Sequence, residues 1–136
     1  MFDMKRLSRG IRAEEGFTLL EMMIVIAIIG VFAVIAVPKF EGAMARANTA
    51  KIQMDLRTID TAAVMYHAQT GGDADSLDKL DQYIEDPQNL KPPSGKCYID
   101  GKLVDVPAGA YSVSSGKAML GSYDSHSFSR DTEAGA

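Results

Sequence analysis

Cysteine, histidine and excess basic charge are all scarce in this chain, and each shortage removes a class of function. One cysteine, Cys97, among 136 residues leaves no partner for an intramolecular disulfide, so an exported domain has to hold without a covalent staple. Two histidines, His67 and His126, beside a single thiol give no HExxH and no paired-cysteine spacing, the patterns that carry zinc chemistry. A glycine-rich phosphate loop is also missing. A formal net charge of −4 and a pI near 5.1 argue against wholesale nucleic-acid binding, which needs dense Lys and Arg to displace phosphate counterions. These patterns point away from an enzyme.

What is present is unevenly placed. The 46% hydrophobic content is concentrated in one block near the N-terminus, so the average describes neither half of the chain. Residues 1–16 form a basic leader with Lys5, Arg6, Arg9 and Arg12 against Asp3, Glu14 and Glu15. Lys and Arg beside a membrane span fix its orientation with the basic side in the cytoplasm. The stretch from Phe17 to Val37, FTLLEMMIVIAIIGVFAVIAV, has about the 20 residues that cross a hydrocarbon core of roughly 30 Å as a helix. It holds one charge, Glu21. A cleaved secretory signal would have a shorter apolar run followed by small residues, so this block is expected to be retained.

Beyond Pro38 the pattern becomes amphipathic. Ile52, Leu56, Ile59, Ala63 and Tyr66 recur at helical spacing on one stripe, and Arg46, Lys51, Asp55, Arg57 and Asp60 solvate the rest. Gly71-Gly72 ends this helix, which can run nearly unbroken from Phe17 to Thr70. A short helix, SLDKLDQYI, is expected next, with Asp75 or Ser76 as its N-cap and Pro87 beyond its end. Asp100-Gly101 between two strand-like runs is a strong hairpin signal, and two further short strands, AYSVS and KAML, follow. The expected fold is α+β: a long N-terminal helix, transmembrane in its first half, packed on an antiparallel sheet of three or four strands. Its segments are a leader (1–16), a membrane and assembly helix (17–38), an amphipathic helix (39–72), a head (73–121) and a polar tail (122–136). The Ser-, Asp- and Gly-rich tail is expected to be partly disordered.

Gly16-Phe17-Thr18-Leu19-Leu20-Glu21, followed by MMIVIAIIGVFAVIAVP, resembles the class III signal of type IV pilins and type II secretion pseudopilins. The resemblance covers residues 5 to about 40 closely and the helix to Thr70 in pattern; Glu14-Glu15, directly before Gly16, depart from the family's usual basic or neutral residue. It implies cleavage between Gly16 and Phe17 by a prepilin peptidase, N-methylation of Phe17, and assembly into a homo-oligomeric filament driven by an ATPase and a platform membrane protein, together with minor pilins or pseudopilins. It also implies that Glu21 meets the amine of a neighbouring subunit, freed only by cleavage. A carboxylate in an apolar span costs about 2.5–3.5 kcal/mol, and an α-amino group with a pKa of about 7.7–8.0 is mostly cationic at neutral pH, so the pairing has a physical rationale. The plainer reading of Glu21 is a side chain that snorkels to the interface. Gly30 and Pro38 bracket the part of the span that, by resemblance, can lose helicity in a filament; alternatively they form a simple kink.

The remaining polar groups have ordinary readings beside sharper ones. His67 suits the negative end of the long helix, whereas a catalytic or zinc role would need Cys97 and His126 to join it. Asp73, Asp75, Asp78 and Asp81 form an acidic cluster that is favourable beside a helix start but could also attract calcium, which related pseudopilins hold near the C-terminus, where this chain has Asp124 and Asp131. Cys97 reads as a small buried residue. Lys91, Lys96, Lys102 and Lys117 are solvated charges or a modest basic face, without a clear nucleic-acid site. The resemblance places the chain in the cytoplasmic or inner membrane as a single-pass protein with its head outside, and then in a surface or periplasmic filament serving secretion, DNA uptake, or adhesion and motility. The competing function is a monomeric membrane-anchored binding module.

Overall fold

The computed structural model describes residues 16–129. The basic leader side chains, Asp131 and the end of the tail therefore lie outside the described residues. The chain falls into two units that meet in sequence between Val37 and Pro38. Helix α1, Leu19–Thr70, contributes to both, with Pro38 inside it.

In the first unit the apolar residues of α1 have no cover. Ile24, Val25, Ile26, Ile28 and Ile29 are all exposed, and the most apolar 18-residue window of the helix has none of its surface buried. Such a helix is long and apolar enough to cross a membrane. Gly30 would accept a Cβ without meeting any atom within 4 Å.

In the second unit the helix stripe is buried as its spacing requires. Ile52, Leu56, Ile59 and Ala63 are enclosed, and half-buried Tyr66 meets the edge of Tyr83 at a ring separation of 6.3 Å. Each large apolar side chain in such a position contributes about 1.5–3 kcal/mol by leaving water. Gly71, at φ 77°, closes the helix by donating its N–H to the His67 carbonyl at 2.8 Å, a left-handed cap that glycine adopts without steric cost. The expected SLDKLDQYI helix is only a 3₁₀ turn, Leu77–Leu80. Ser76 occupies its N-cap position without a side-chain capping bond, and Asp75 pairs with Lys79 instead.

Strands β1 (Lys96–Ile99) and β2 (Lys102–Asp105) form one antiparallel hairpin; β3 (Tyr111–Ser114) and β4 (Lys117–Leu120) form another. Both turns have two residues at positive φ, Asp100-Gly101 and Ser115-Gly116, which is the backbone twist that tight hairpins require. Inward residues alternate as expected: Cys97 and Ile99, Tyr111 and Val113, Ala118 and Leu120 are buried against the helix stripe.

The α+β class stands, but the four strands form two two-stranded sheets in place of one sheet of three or four. The reason lies in where the outward backbone groups go. On β1 the Tyr98 N–H donates to Thr49 Oγ1 at 2.8 Å, and the Lys96 carbonyl accepts from Asn48 Nδ2 at 2.9 Å. On β4 the Ala118 N–H donates to Asp60 Oδ1 at 2.7 Å, and the Leu120 N–H to the Tyr123 carbonyl at 2.9 Å. Three helix side chains and the Tyr123 carbonyl thus satisfy groups that a neighbouring strand would otherwise take. Pro107, which has no N–H, lies two residues beyond the end of β2.

The beginning of the tail is also more ordered than its composition suggests. Phe128 is fully buried and meets Tyr123 edge-on at 6.1 Å. Its carbonyl accepts from Gln53 Nε2, while the Ser127 and Ser129 carbonyls accept from Asp100 and Gly101 of the first hairpin turn. One buried aromatic side chain and three backbone bonds outweigh the polar character of its neighbours.

Candidate functional site

The N-terminal turn of α1 holds the residues with the clearest functional signal. Gly16 and Phe17 precede the helix outside any regular element and are exposed, and a Cβ at Gly16 would meet no atom within 4 Å. Phe17 itself is 80% exposed.

Thr18 and Glu21 close a reciprocal cap. The Glu21 N–H donates to Thr18 Oγ1 at 3.1 Å, and the Thr18 N–H donates to Glu21 Oε2 at 3.2 Å. The Met22 N–H then donates to the Thr18 carbonyl at 3.2 Å, the first helical bond. A helix start leaves its first N–H groups without partners, and this arrangement satisfies two of them in a segment poor in other acceptors. It also holds the only carboxylate of the span within the first turn, where the positive end of the helix dipole favours it. Thr18 is the residue that sequence reasoning passed over. Its signal is Thr-x-x-Glu directly before an apolar run, the pattern of a capping box.

Gly30 and Pro38 both lie within the unbroken span of α1 and are not brought to this turn. The head residues are scattered in other roles. His67 Nδ1 lies 3.0 Å from Asp73 Oδ1, so the imidazole faces a carboxylate of the following loop. Cys97 is fully buried in the core, and burial pushes its thiol above the ordinary value. His126 is exposed; its N–H donates to Asp124 Oδ1, which also accepts from the Ser127 N–H and hydroxyl. Burial raises the Asp124 pKa, but these donors outweigh it and hold the carboxyl below the usual range.

Of the acidic cluster, Asp73 is engaged by His67 and Asp75 by Lys79, with Asp78 and Asp81 exposed. Among the described residues no three His, Cys, Asp or Glu side chains converge as a metal site would need. Lys96 pairs with Glu41 at 2.6 Å, the Lys91 carbonyl accepts from Lys51, and Lys102 and Lys117 sit on different hairpins.

An exposed apolar helix, a capped N-terminal carboxylate and a small α+β head define a pilin-like structural subunit, and comparison with known proteins agrees. A family described as the prokaryotic N-terminal methylation motif matches residues 11–37, which include the whole turn. Type II secretion system core protein G of Aeromonas hydrophila is 30% identical over 128 residues, covering 91% of this chain and 88% of that protein. A fimbrial protein of Pseudomonas aeruginosa is 42% identical over 52 residues, 38% of this chain and 34% of that protein. The type IV major alpha-pilin of Moraxella bovis is 40% identical over 60 residues, 43% of this chain and 38% of that protein. The chain thus matches little more than a third of the length of these two pilins. No solved structure matches it. The chain belongs to the family of type IV pilins and type II secretion pseudopilins.

Proposed function

We propose that the chain is the repeating subunit of a type IV pilus-like filament, cleaved between Gly16 and Phe17, N-methylated on Phe17 and assembled through α1. The observation that carries this reading is the Thr18–Glu21 cap, which holds one carboxylate ready at the start of the apolar, uncovered first part of α1. Cleavage creates an amine one residue before Thr18. A cation there from a neighbouring copy neutralises Glu21 in a medium where an unpaired charge is costly. A prepilin peptidase, an assembly ATPase and a platform protein are the partners this sequence of events requires.

Type II secretion is the favoured system. Similarity to core protein G spans 91% of the chain, which is too much to leave out the head, whereas similarity to the fimbrial protein spans 38%. The test is to express the chain with a type II secretion assembly system and shear the cells. Wild-type chain is expected in the sheared fraction, shortened at Phe17. Glu21→Ala is expected to be cleaved and to remain in the membrane. A Glu21→Ala chain that appears in sheared filaments at wild-type yield overturns the reading.

A further inference from the structure

The two hairpins present unequal edges to solvent. Opposite residues of an antiparallel pair alternate between exchanging both backbone bonds with each other and pointing those groups away. On β1 the Tyr98 N–H and the Lys96 carbonyl point away from β2, towards Thr49 and Asn48. Their partners across the ladder, Leu103 and Asp105, therefore turn their own N–H and carbonyl groups away from β1. Among the described residues nothing bonds to these groups. Both residues are exposed, so β2 offers water two donor and acceptor pairs about 7 Å apart.

The other strands offer no such edge. Outward groups of β1 and β4 are served by Asn48, Thr49, Asp60 and the Tyr123 carbonyl, and the corresponding residues of β3, Tyr111 and Val113, are buried. Apolar surface gathers beside the β2 edge as well. Leu103 and Tyr123 are the exposed large hydrophobic residues of the described head outside α1. Leu103 stands on β2 itself, and Tyr123 lines a cleft of about 440 Å³ with Val104 and Pro107. The charged side chains of this cleft are Asp100, Lys102 and Asp105, two carboxylates to one ammonium, and none of them forms an ion pair among the described residues.

We infer that the free edge of β2 is a strand-addition site, at which an extended segment of another polypeptide, apolar in its middle and flanked by basic residues, pairs with Leu103 and Asp105. The backbone groups select the extended conformation, because only a strand repeats its donors and acceptors at that spacing. The cleft and Leu103 select apolar side chains, and the excess carboxylate selects the basic flanks. Four residues with two charged side chains keep such an edge from pairing indiscriminately. A second copy of the chain is the poorer occupant. Its one open edge is also β2, and pairing two β2 edges antiparallel relates the copies by a two-fold axis, whereas the subunits of a filament repeat in one direction. That last step rests on the filament reading; the site itself goes beyond it.

The experiment titrates the full chain in detergent into a fluorescein-labelled peptide, Lys-Val-Thr-Val-Thr-Val-Lys with blocked ends, and follows anisotropy with the signal of empty micelles subtracted. Two further peptides carry N-methyl groups on one or the other set of alternate residues, which removes the donors from one edge of the strand and keeps the side chains. One methylated peptide is expected to bind as the parent does and the other at least tenfold more weakly. Leu103→Pro removes an outward N–H without taking a bond from the β1–β2 ladder, as edge positions permit, and is expected to weaken the parent peptide at least tenfold. Asp105→Lys is expected to reverse the preference, binding a peptide with glutamate at both ends better than the parent. Equal affinity of both methylated peptides, no binding of the parent up to about 1 mM, or unchanged affinity in both protein variants overturns the assignment. A dimer of the chain that forms without peptide and is lost in Leu103→Pro overturns it too, since the edge then belongs to a second copy. None of these results bears on filament yield, which tests the filament reading separately.

Discussion

The Tyr111 hydroxyl donates to Asp55 Oδ2 at 2.7 Å inside the head, and Lys51 reaches the same oxygen at 2.5 Å from the more exposed side. Strand β3 is therefore tied to the helix by a bond from a buried phenol to a buried carboxylate. Removing one partner leaves the other desolvated and unpaired, which costs more than the bond contributes when intact. Asp55→Ala is expected to destabilise the head by about 1–3 kcal/mol. Tyr111→Phe is expected to cost less, because Lys51 still serves the carboxylate. Chemical denaturation of the full chain in detergent, followed by circular dichroism, measures both.

The same pair predicts an alkaline limit. Burial first, then the bond to Asp55 and its charge, raises the Tyr111 pKa far above its ordinary 10.0. The folded state therefore favours the neutral phenol. Its contribution is fully present below pH 10 and is lost as pH rises from there towards the folded value. The melting temperature of the wild type is expected to fall more steeply above pH 10 than that of Tyr111→Phe, which has no such proton to lose. Parallel slopes for the two proteins refute this assignment.

How far the fold was legible depended on whether the signal was local. The helix stripe at Ile52, Leu56 and Ile59 and the Asp100-Gly101 turn announce themselves by spacing and by one backbone preference. The separation of the two hairpins is not local. It depends on Asn48 and Thr49, which carry no signal of their own in the sequence, and on Asp60, which reads as solvated until the strand it serves is in place. Phe128 was hidden in a different way, since one aromatic residue among serines carries little periodic signal yet fills a core site. At the N-terminal turn Gly16, Phe17 and Glu21 were legible as a motif, and Thr18 as a capping partner was not.

Phe128 gives a direct test of the ordered tail. The side chain is fully enclosed, so Phe128→Ala removes transfer energy and leaves a cavity, with an expected loss of about 3–5 kcal/mol if the site cannot collapse. Phe128→Leu is expected to recover most of it. A tail that contributes nothing to the head would show no change in either variant's denaturation midpoint.

Cys97 is expected to be inert in the native chain. The thiol has no exposed surface, and burial raises its pKa, so the reactive thiolate is both hidden and disfavoured. Alkylation by iodoacetamide at pH 8 then waits for local or global opening, and the rate is expected to be at least about a hundredfold below that of the denatured chain. Mass spectrometry of timed samples gives both rates. Rapid native labelling would place the residue outside the core.

The Thr18–Glu21 cap separates two roles that a simple deletion of the glutamate confounds. Glu21→Gln keeps an oxygen that can accept from the Thr18 N–H, but it removes the charge that a neighbouring amine would neutralise. Thr18→Ala keeps the charge but removes the hydroxyl that accepts from the Glu21 N–H, a loss worth about 1 kcal/mol at helix starts. Thr18→Ser keeps both. If the carboxylate serves assembly through its charge, Glu21→Gln is expected to be cleaved normally and to yield no sheared filaments. Thr18→Ala is expected to lower the yield several-fold, and Thr18→Ser to match the wild type. If the pair serves only to start the helix, Glu21→Gln assembles as well as Thr18→Ser, because either acceptor closes the cap. Quantifying sheared protein from the four strains at equal expression distinguishes the two roles, since charge neutralisation and capping predict opposite results for the glutamine variant.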